Sequence, residues 1–136
     1  KMRKILGMLA IMLAVFLLPL NIMAFPPLPD GLNIVPPDPS LPPTLVAFSG
    51  KSGKWEGRAD SRDFFLIFEK INQEKATLWF SNGYGWDRIE AGVIKRGNKY
   101  KIWFVGRYGQ NELSLRGEKY LDLYVSMGTV TFTRVP

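Results

Sequence analysis

The sequence predicts an all-β protein, an eight-stranded antiparallel up-and-down (meander) barrel preceded by a signal peptide and a proline-rich arm. The first observation is that residues 44–135 contain no proline and divide into eight short runs of β-branched, aromatic and alternating residues. The second is that the links between these runs are short, which favours a meander over Greek-key crossings. The third is the lack of a helical period, so parallel strands joined by crossover helices are not expected.

The first segment, residues 1–24, has the order of a secretory signal peptide. Three basic residues among the first four precede an uncharged apolar run over residues 5–20, and the segment ends on the small residue Ala24. The run has 16 residues, fewer than the roughly 20 that a membrane-spanning helix needs. We therefore expect cleavage after Ala24 and an exported protein, periplasmic or extracellular. The alternative is that residues 5–20 stay as a membrane anchor, and only then do we expect membrane contact.

The composition excludes several classes of protein. The chain has 18 basic and 12 acidic residues, a net charge of +6, and neither cysteine nor histidine. Without these two residue types it has no disulfide, no Cys/His zinc site and no histidine-based catalytic triad. Three of the basic residues belong to residues 1–24, so the remainder has 15 basic against 12 acidic residues, a net charge of +3. That excess is too small to predict a nucleic-acid partner.

No set of residues suited to catalysis emerges. Asp60, Asp63, Glu69 and Glu90 lack a spacing typical of a glycosidase carboxylate pair, and the serines have no histidine to act as a base. Residues 83–86 are rich in glycine but precede a strand rather than a helix, so they do not predict a phosphate loop. We expect a protein that is not an enzyme and that needs no cofactor or metal.

The second segment, residues 25–43, contains eight prolines in 19 residues. Proline fixes φ and lacks an N–H, so neither a helix nor a central strand fits this density. We expect an extended, polyproline-like linker. Two other roles stay open: a tether that holds the domain away from a membrane, and a ligand for a proline-binding groove, centred on residues 26–29.

The third segment, residues 44–136, is the predicted barrel domain. Alternation assigns the two faces of its strands: Leu121 and Leu123 share one face of the seventh, and Asp122 and Tyr124 share the other. The predicted strands cover residues 53–59, 63–71, 75–81, 86–95, 99–105, 110–116, 120–127 and 129–135. The side chains predicted to fill the interior are Trp55, Phe65, Leu78, Ile102, Leu113, Leu121 and Phe132.

The second strand is apolar on both faces over residues 64–68, Phe-Phe-Leu-Ile-Phe. Its outer face is either covered by the proline-rich arm or exposed as an apolar patch for a protein partner. In the second case we assign Phe64 and Phe68 to the docking face.

Two short motifs resemble the calycin superfamily, which includes lipocalins, fatty-acid-binding proteins and avidins. Residues 53–55 open the first strand as a G-x-W motif, and residues 131–135, Thr-Phe-Thr-Arg-Val, end the last strand. The resemblance implies a barrel in which Trp55 packs across one end and Arg134 lies over its ring in a cation–π contact. The polar residues with which avidins hold biotin have no counterparts here. A barrel this short is either hollow or filled by its own side chains.

The loops after the third and fifth strands predict a binding site, because in a meander both open at the same end of the barrel. They combine aromatic side chains with arginines, which can stack and hydrogen-bond a sugar ring or a small planar ligand. The candidate ligand-binding residues are Tyr84, Trp86, Arg88, Trp103 and Arg107. We therefore expect a non-catalytic barrel that binds a small molecule or carbohydrate at its open end. The alternative is an accessory protein-interaction module with a filled barrel and no small-molecule ligand.

Four basic residues, Lys95, Arg96, Lys99 and Lys101, cluster at the hairpin between the fourth and fifth strands. Such a cluster either contacts an anionic lipid or polymer of the cell envelope or is a solvated edge whose charges prevent aggregation. The sequence leaves both readings open.

Overall fold

The computed structural model describes residues 25–106 and 109–136 and contains a closed barrel of eight antiparallel strands in chain order. The strands are β1 (Lys54–Ala59), β2 (Arg62–Ile71), β3 (Lys75–Ser81), β4 (Asp87–Arg96), β5 (Lys99–Gly106), β6 (Gly109–Arg116), β7 (Tyr120–Val125) and β8 (Gly128–Arg134). A short helix, α1 (Pro43–Val46), precedes them. The prediction of an all-β meander barrel is therefore confirmed. The predicted signal peptide, residues 1–24, lies outside the described residues.

Each strand pairs with the next one, and β1 pairs with β8 to close the barrel. Trp55 stands opposite Arg134 across this closing seam. The β1–β2 turn consists of Asp60 and Ser61, both with positive φ (50° and 63°), as a two-residue type I′ hairpin requires. Strands β1, β3, β5 and β7 finish at one end of the barrel, which we call the open end. Among the described residues, no helix has the length and apolar character needed to cross a membrane.

The interior is a contiguous apolar core to which all eight strands contribute. Directly paired residues share a face, so Trp55 and Leu66 meet on the inner side of β1 and β2. The buried side chains of the core are Leu45, Phe48, Trp55, Leu66, Phe68, Ile71, Ala76, Leu78, Ala91, Val93, Ile102, Phe104, Leu113, Leu121, Leu123, Val130 and Phe132. This packing favours a barrel filled by its own side chains over a hollow one.

Phe65 is the one predicted interior residue that lies elsewhere. Because Phe64, Leu66 and Phe68 face inward, alternation turns Phe65 and Ile67 outward. Both outward side chains are nevertheless buried, since a further layer of chain covers them. The two apolar faces of β2 therefore reflect two separate packing surfaces.

The covering layer is the arm, residues 25–43, which runs along the outer face of β2. The Phe25 ring packs edge-on against Phe65, with 5.1 Å between ring centroids. Further along, the Val35 backbone N–H donates to the Glu69 carbonyl oxygen at 2.7 Å. The arm has no regular secondary structure over residues 25–42, as its prolines predict, but it lies on the barrel instead of leading away from it.

After the arm, α1 and the residues that follow it cover the other end of the barrel, which we call the closed end. Leu45 and Phe48 are fully buried in the core, and the Trp55 indole N–H donates to the Phe48 carbonyl oxygen at 2.8 Å. The Arg134 guanidinium lies over the Trp55 ring, with Cζ 4.3 Å from the ring centroid. It also donates to the Ala47 carbonyl oxygen at 2.9 Å. The contact between Trp55 and Arg134 that the resemblance implies is therefore present.

Candidate functional site

The predicted ligand-binding residues do not come together at the open end. Tyr84 lies in the β3–β4 connection and is 88% exposed, whereas Trp86 is held beneath the arm. Arg88 and Trp103 lie on the outer faces of β4 and β5, and Arg107 lies outside the described residues. None of the four described residues belongs to the interior core.

Arg88 belongs to a charge cluster with Glu69 and Glu90. It forms ion pairs with Glu69 at 3.1 Å and with Glu90 at 2.9 Å. The Glu69 side chain is buried and also accepts hydrogen bonds from the Trp79 indole N–H and the Asn33 backbone N–H. Burial opposes ionisation of Glu69, but the hydrogen bonds from Asn33, Trp79 and Arg88, together with the charge of Arg88, hold its pKa below its ordinary value. The guanidinium of Arg88 is therefore satisfied within the protein.

The four tryptophans differ in what their indole N–H groups bind. Three of them donate to an acceptor in the protein: Trp55 to the Phe48 carbonyl, Trp79 to the Glu69 carboxylate and Trp86 to the Pro27 carbonyl. The indole N–H of Trp103 has no acceptor among the residues that the structure describes. Since Trp103 is also 37% exposed, part of its ring is available to a ligand.

Gly92 determines how the Trp103 ring lies. The two residues are directly paired between β4 and β5. A β-carbon built on Gly92 would lie 2.5 Å from Trp103 Nε1 and 2.6 Å from Cε2, which is closer than real β-carbons approach other atoms. The indole therefore lies across the backbone of β4, in space that only glycine leaves free. An isolated glycine inside a predicted strand is the sequence signal for such a close approach.

The Trp103 groove is a surface groove of about 300 Å³ on the outer wall of β4–β6. Its lining residues are Ile94, Arg96, Trp103, Gln110 and Glu112. Arg96 and Glu112 lie 3.7 Å apart as a loose, exposed ion pair. The groove thus joins an aromatic surface to hydrogen-bond donors and acceptors, which suits a ligand that has one apolar face and several hydroxyl groups.

The lysine groove is a second surface groove, of about 290 Å³, on the outer wall of β5–β7. Its lining residues are Lys99, Lys101, Ser114, Leu115, Arg116, Gly117, Asp122 and Tyr124. Lys101 Nζ donates to the Ser114 hydroxyl at 2.6 Å, and Arg116 pairs with Asp122 at 2.9 Å. The hydrogen bond from Arg116 lowers the pKa of Asp122, against the effect of burial, so this carboxylate stays ionised.

The docking face assigned to Phe64 and Phe68 is not on the outside of β2. Phe68 is 1% exposed inside the core. Phe64 packs against the same core and stacks on Phe80, with 6.0 Å between ring centroids. The correction follows from the strand register, because a strand that is apolar on both faces does not reveal from its sequence which face is inside.

The described residues contain no cluster of carboxylates that could bind a metal ion. Within residues 25–106 and 109–136, no three Asp or Glu side chains are close enough together to hold one.

Comparisons with protein-family models, with curated proteins and with solved structures find no match to this chain.

Proposed function

We propose that this protein is an exported, non-catalytic glycan-binding barrel whose sugar site is the Trp103 groove on its outer wall. The observation that carries the proposal is the position of Trp103, which lies across Gly92 with its indole N–H unused by the rest of the described chain. Of the five ligand-binding candidates from the sequence, Trp103 is the one that combines an available ring with polar neighbours in a groove. The proposal therefore keeps the expected ligand class and moves its site from the open end to the wall.

The chemistry of a sugar fits this groove. The C–H face of a pyranose ring is apolar and packs on an indole ring, whereas its hydroxyl groups need hydrogen-bond partners at the rim. Arg96 supplies donors, Glu112 supplies acceptors and Gln110 supplies both. A surface site of this kind binds one or two sugar units and leaves a longer chain free to extend along the barrel.

The barrel itself supports a binding role in which the interior takes no part. Its contiguous core and the Trp55–Arg134 contact at the closed end suit a filled, calycin-like scaffold. Export is proposed from the signal-peptide order of residues 1–24.

The test is calorimetric titration of the purified protein with a panel of neutral and acidic oligosaccharides. Trp103→Ala is expected to weaken glycan binding at least about tenfold, a loss of about 1.4 kcal/mol, with little change in Tm because the ring is partly exposed. Trp86→Ala is the matched control, since that ring packs beneath the arm. Binding that survives Trp103→Ala but is lost in Tyr84→Ala would return the site to the open end.

A protein-interaction module is the second candidate, favoured by three exposed side chains at the open end. Tyr84, Val105 and Met127 are each at least 73% exposed. Tyr84 lies between β3 and β4, Val105 lies near the end of β5, and Met127 lies between β7 and β8. Apolar side chains grouped in this way often mark a protein contact. The test compares a double variant, Val105→Ser with Met127→Ser, with the single variant Trp103→Ala. If the double variant no longer binds a protein partner and Trp103→Ala still does, protein interaction replaces glycan binding as the function.

A further inference from the structure

The Trp103 groove and the lysine groove adjoin along β5 and β6. Trp103 and Lys101 are alternate residues on the outer face of β5, so their Cα atoms lie about 7 Å apart. Their partners on β6 are Glu112 and Ser114, again alternate residues on that face. A ligand that extends along these two strands therefore meets the aromatic ring first and the lysine side chains next.

The charges of the two grooves are unequally compensated. Glu112 faces Arg96, and Asp122 pairs with Arg116. Lys101 is hydrogen-bonded to the neutral Ser114 hydroxyl. Neither Lys101 nor its neighbour Lys99 has an acidic partner among the described residues. The lysine groove therefore carries two positive charges, Lys99 and Lys101, that have no acidic partner in the described chain.

We propose that the glycan is acidic, with one sugar ring on Trp103 and a carboxylate or phosphate group of a neighbouring unit between Lys99 and Lys101. This inference rests on the proposed glycan-binding function and adds the chemical class of the ligand. Charge complementarity supports it, since an anion placed next to Trp103 along β5 meets two cations that the protein leaves unpaired. The carboxylates Glu112 and Asp122 stand on the same wall. They disfavour a densely charged nucleic-acid backbone and suit a ligand that alternates hydroxyl groups with isolated charges.

The experiment uses two forms of one polymer, polygalacturonate and its fully methyl-esterified form, which share a sugar backbone and differ in charge. Each is titrated into the purified protein at low and at high salt, with short-chain polyphosphate as a third probe that has charge but no sugar. We expect polygalacturonate to bind at least about tenfold more tightly than its ester at low salt. The difference should shrink as salt screens the exposed charges.

Lys101→Gln is expected to weaken polygalacturonate binding by about two- to fivefold, and the double variant with Lys99→Gln should weaken it further. Neither change should alter binding of the neutral ester. Lys70→Gln is the matched control, because it removes the same charge from an exposed position on β2 outside both grooves. Tm measured on each variant checks that the fold is intact.

The outcomes separate this inference from the function on which it rests. Equal binding of the two polymers, lost in Trp103→Ala and unchanged in Lys101→Gln, overturns the acidic ligand and keeps the glycan site. Polyphosphate binding as strong as that of polygalacturonate, with no effect of Trp103→Ala on either, overturns both, because the wall is then a plain cationic surface. Binding that needs Trp103 and Lys101 together, and is absent for polyphosphate, supports both.

Discussion

The Glu69 carboxylate accepts a hydrogen bond from the Asn33 backbone N–H at 3.0 Å, so a side chain of β2 fixes the middle of the arm. The backbone carbonyl of the same residue accepts the Val35 N–H at 2.7 Å. Proline has no N–H to donate, and the arm is rich in proline, so these two donors are among the few that it offers. The β-bulge between Phe68 and Lys70 lies at this point of β2, where a locally distorted strand re-aims a side chain. Glu69 therefore joins the arm to the barrel.

Attachment of the arm should depend on pH through Glu69. Its pKa is lowered in the folded protein, so the stabilisation is fully present above the ordinary glutamate pKa of about 4.3. It is lost as the pH falls through the lower folded-state value. Glu69→Gln should lower the free energy of unfolding by about 1–3 kcal/mol at pH 7, and the gap from the wild type should narrow in acid. Urea unfolding between pH 7 and about pH 3 measures this gap.

Hydrogen exchange at the Asn33 amide reports on the same contact locally, because that amide donates to the Glu69 carboxylate. Glu74→Gln is the control, since Glu74 is an exposed residue in the β2–β3 connection. If the wild type and Glu69→Gln differ in free energy of unfolding by the same amount at pH 7 and at low pH, ionisation of Glu69 does not hold the arm.

Gly92→Ala should displace the Trp103 ring while leaving the barrel folded. The new β-carbon would stand 2.5 Å from Nε1, and the partly exposed ring can move outward more easily than the backbone of β4. We expect a change in Trp103 solvent exposure, loss of glycan binding and a change in stability within about 1 kcal/mol. Fluorescence quenching by iodide and calorimetric titration measure the first two.

The double variant with Trp103→Ala tests this steric account directly. If the ring is the only obstacle, the alanine at position 92 has no further effect once the indole is gone. An additional loss of stability in the double variant would instead place the obstacle in the backbone.

Arg134 should contribute to stability through directed hydrogen bonds as well as charge. It donates to the carbonyl oxygens of Glu118 and Ala47 at 2.8 and 2.9 Å while it lies over the Trp55 ring. Arg134→Ala should cost about 2–3 kcal/mol, and Arg134→Lys should cost about half as much, because it keeps a cation near the ring. Thermal unfolding measures both losses, and a Tm of Arg134→Lys equal to that of the wild type would contradict the role of the hydrogen bonds.

Phe68→Ala and Phe65→Ala should separate the two apolar faces of β2. Phe68 is buried inside the barrel, so its truncation should cost about 3–5 kcal/mol of global stability. Phe65 packs against Phe25 of the arm, so its truncation should release the arm with a smaller effect on the barrel. Global stability comes from denaturant unfolding and release of the arm from limited proteolysis. Equal global losses would mean that the arm and the barrel unfold as one unit.

The barrel could be predicted from its sequence because its signals are local. Proline-free strands, short links and clean alternation, as in Leu121 and Leu123, fix both the number of strands and most of the inner face. The two faces of β2 could not be told apart in this way, since residues 64–68 are all apolar. The correct face depends on the register with β1, where Leu66 stands opposite Trp55, and on an arm whose docking no local pattern encodes.

The candidate site was harder to predict because the sequence does not show what the side chains contact. Trp86 and Arg88 are aromatic and cationic, as a binding mouth requires, but Trp86 is bonded to the arm and Arg88 is paired with Glu69 and Glu90. Trp103 stands out only once the partners of all four indoles are known. Gly92 did carry a signal, a lone glycine within a strand, but its pairing with Trp103 needed the register of β4 and β5.

The β1–β8 seam also constrains how the protein reaches its folded state. Ser52 and Val135, which are hydrogen-bonded beside the seam, lie 83 residues apart in the chain. Successive hairpins can form in order as the chain is synthesised, but the ring cannot close before the last strand is complete, and closure over this distance carries a larger entropic cost. Until then, β1 and the newest strand each offer an unpaired edge to other incomplete chains. The yield of folded barrel should therefore depend on chain concentration, even though the finished sheet has no edge.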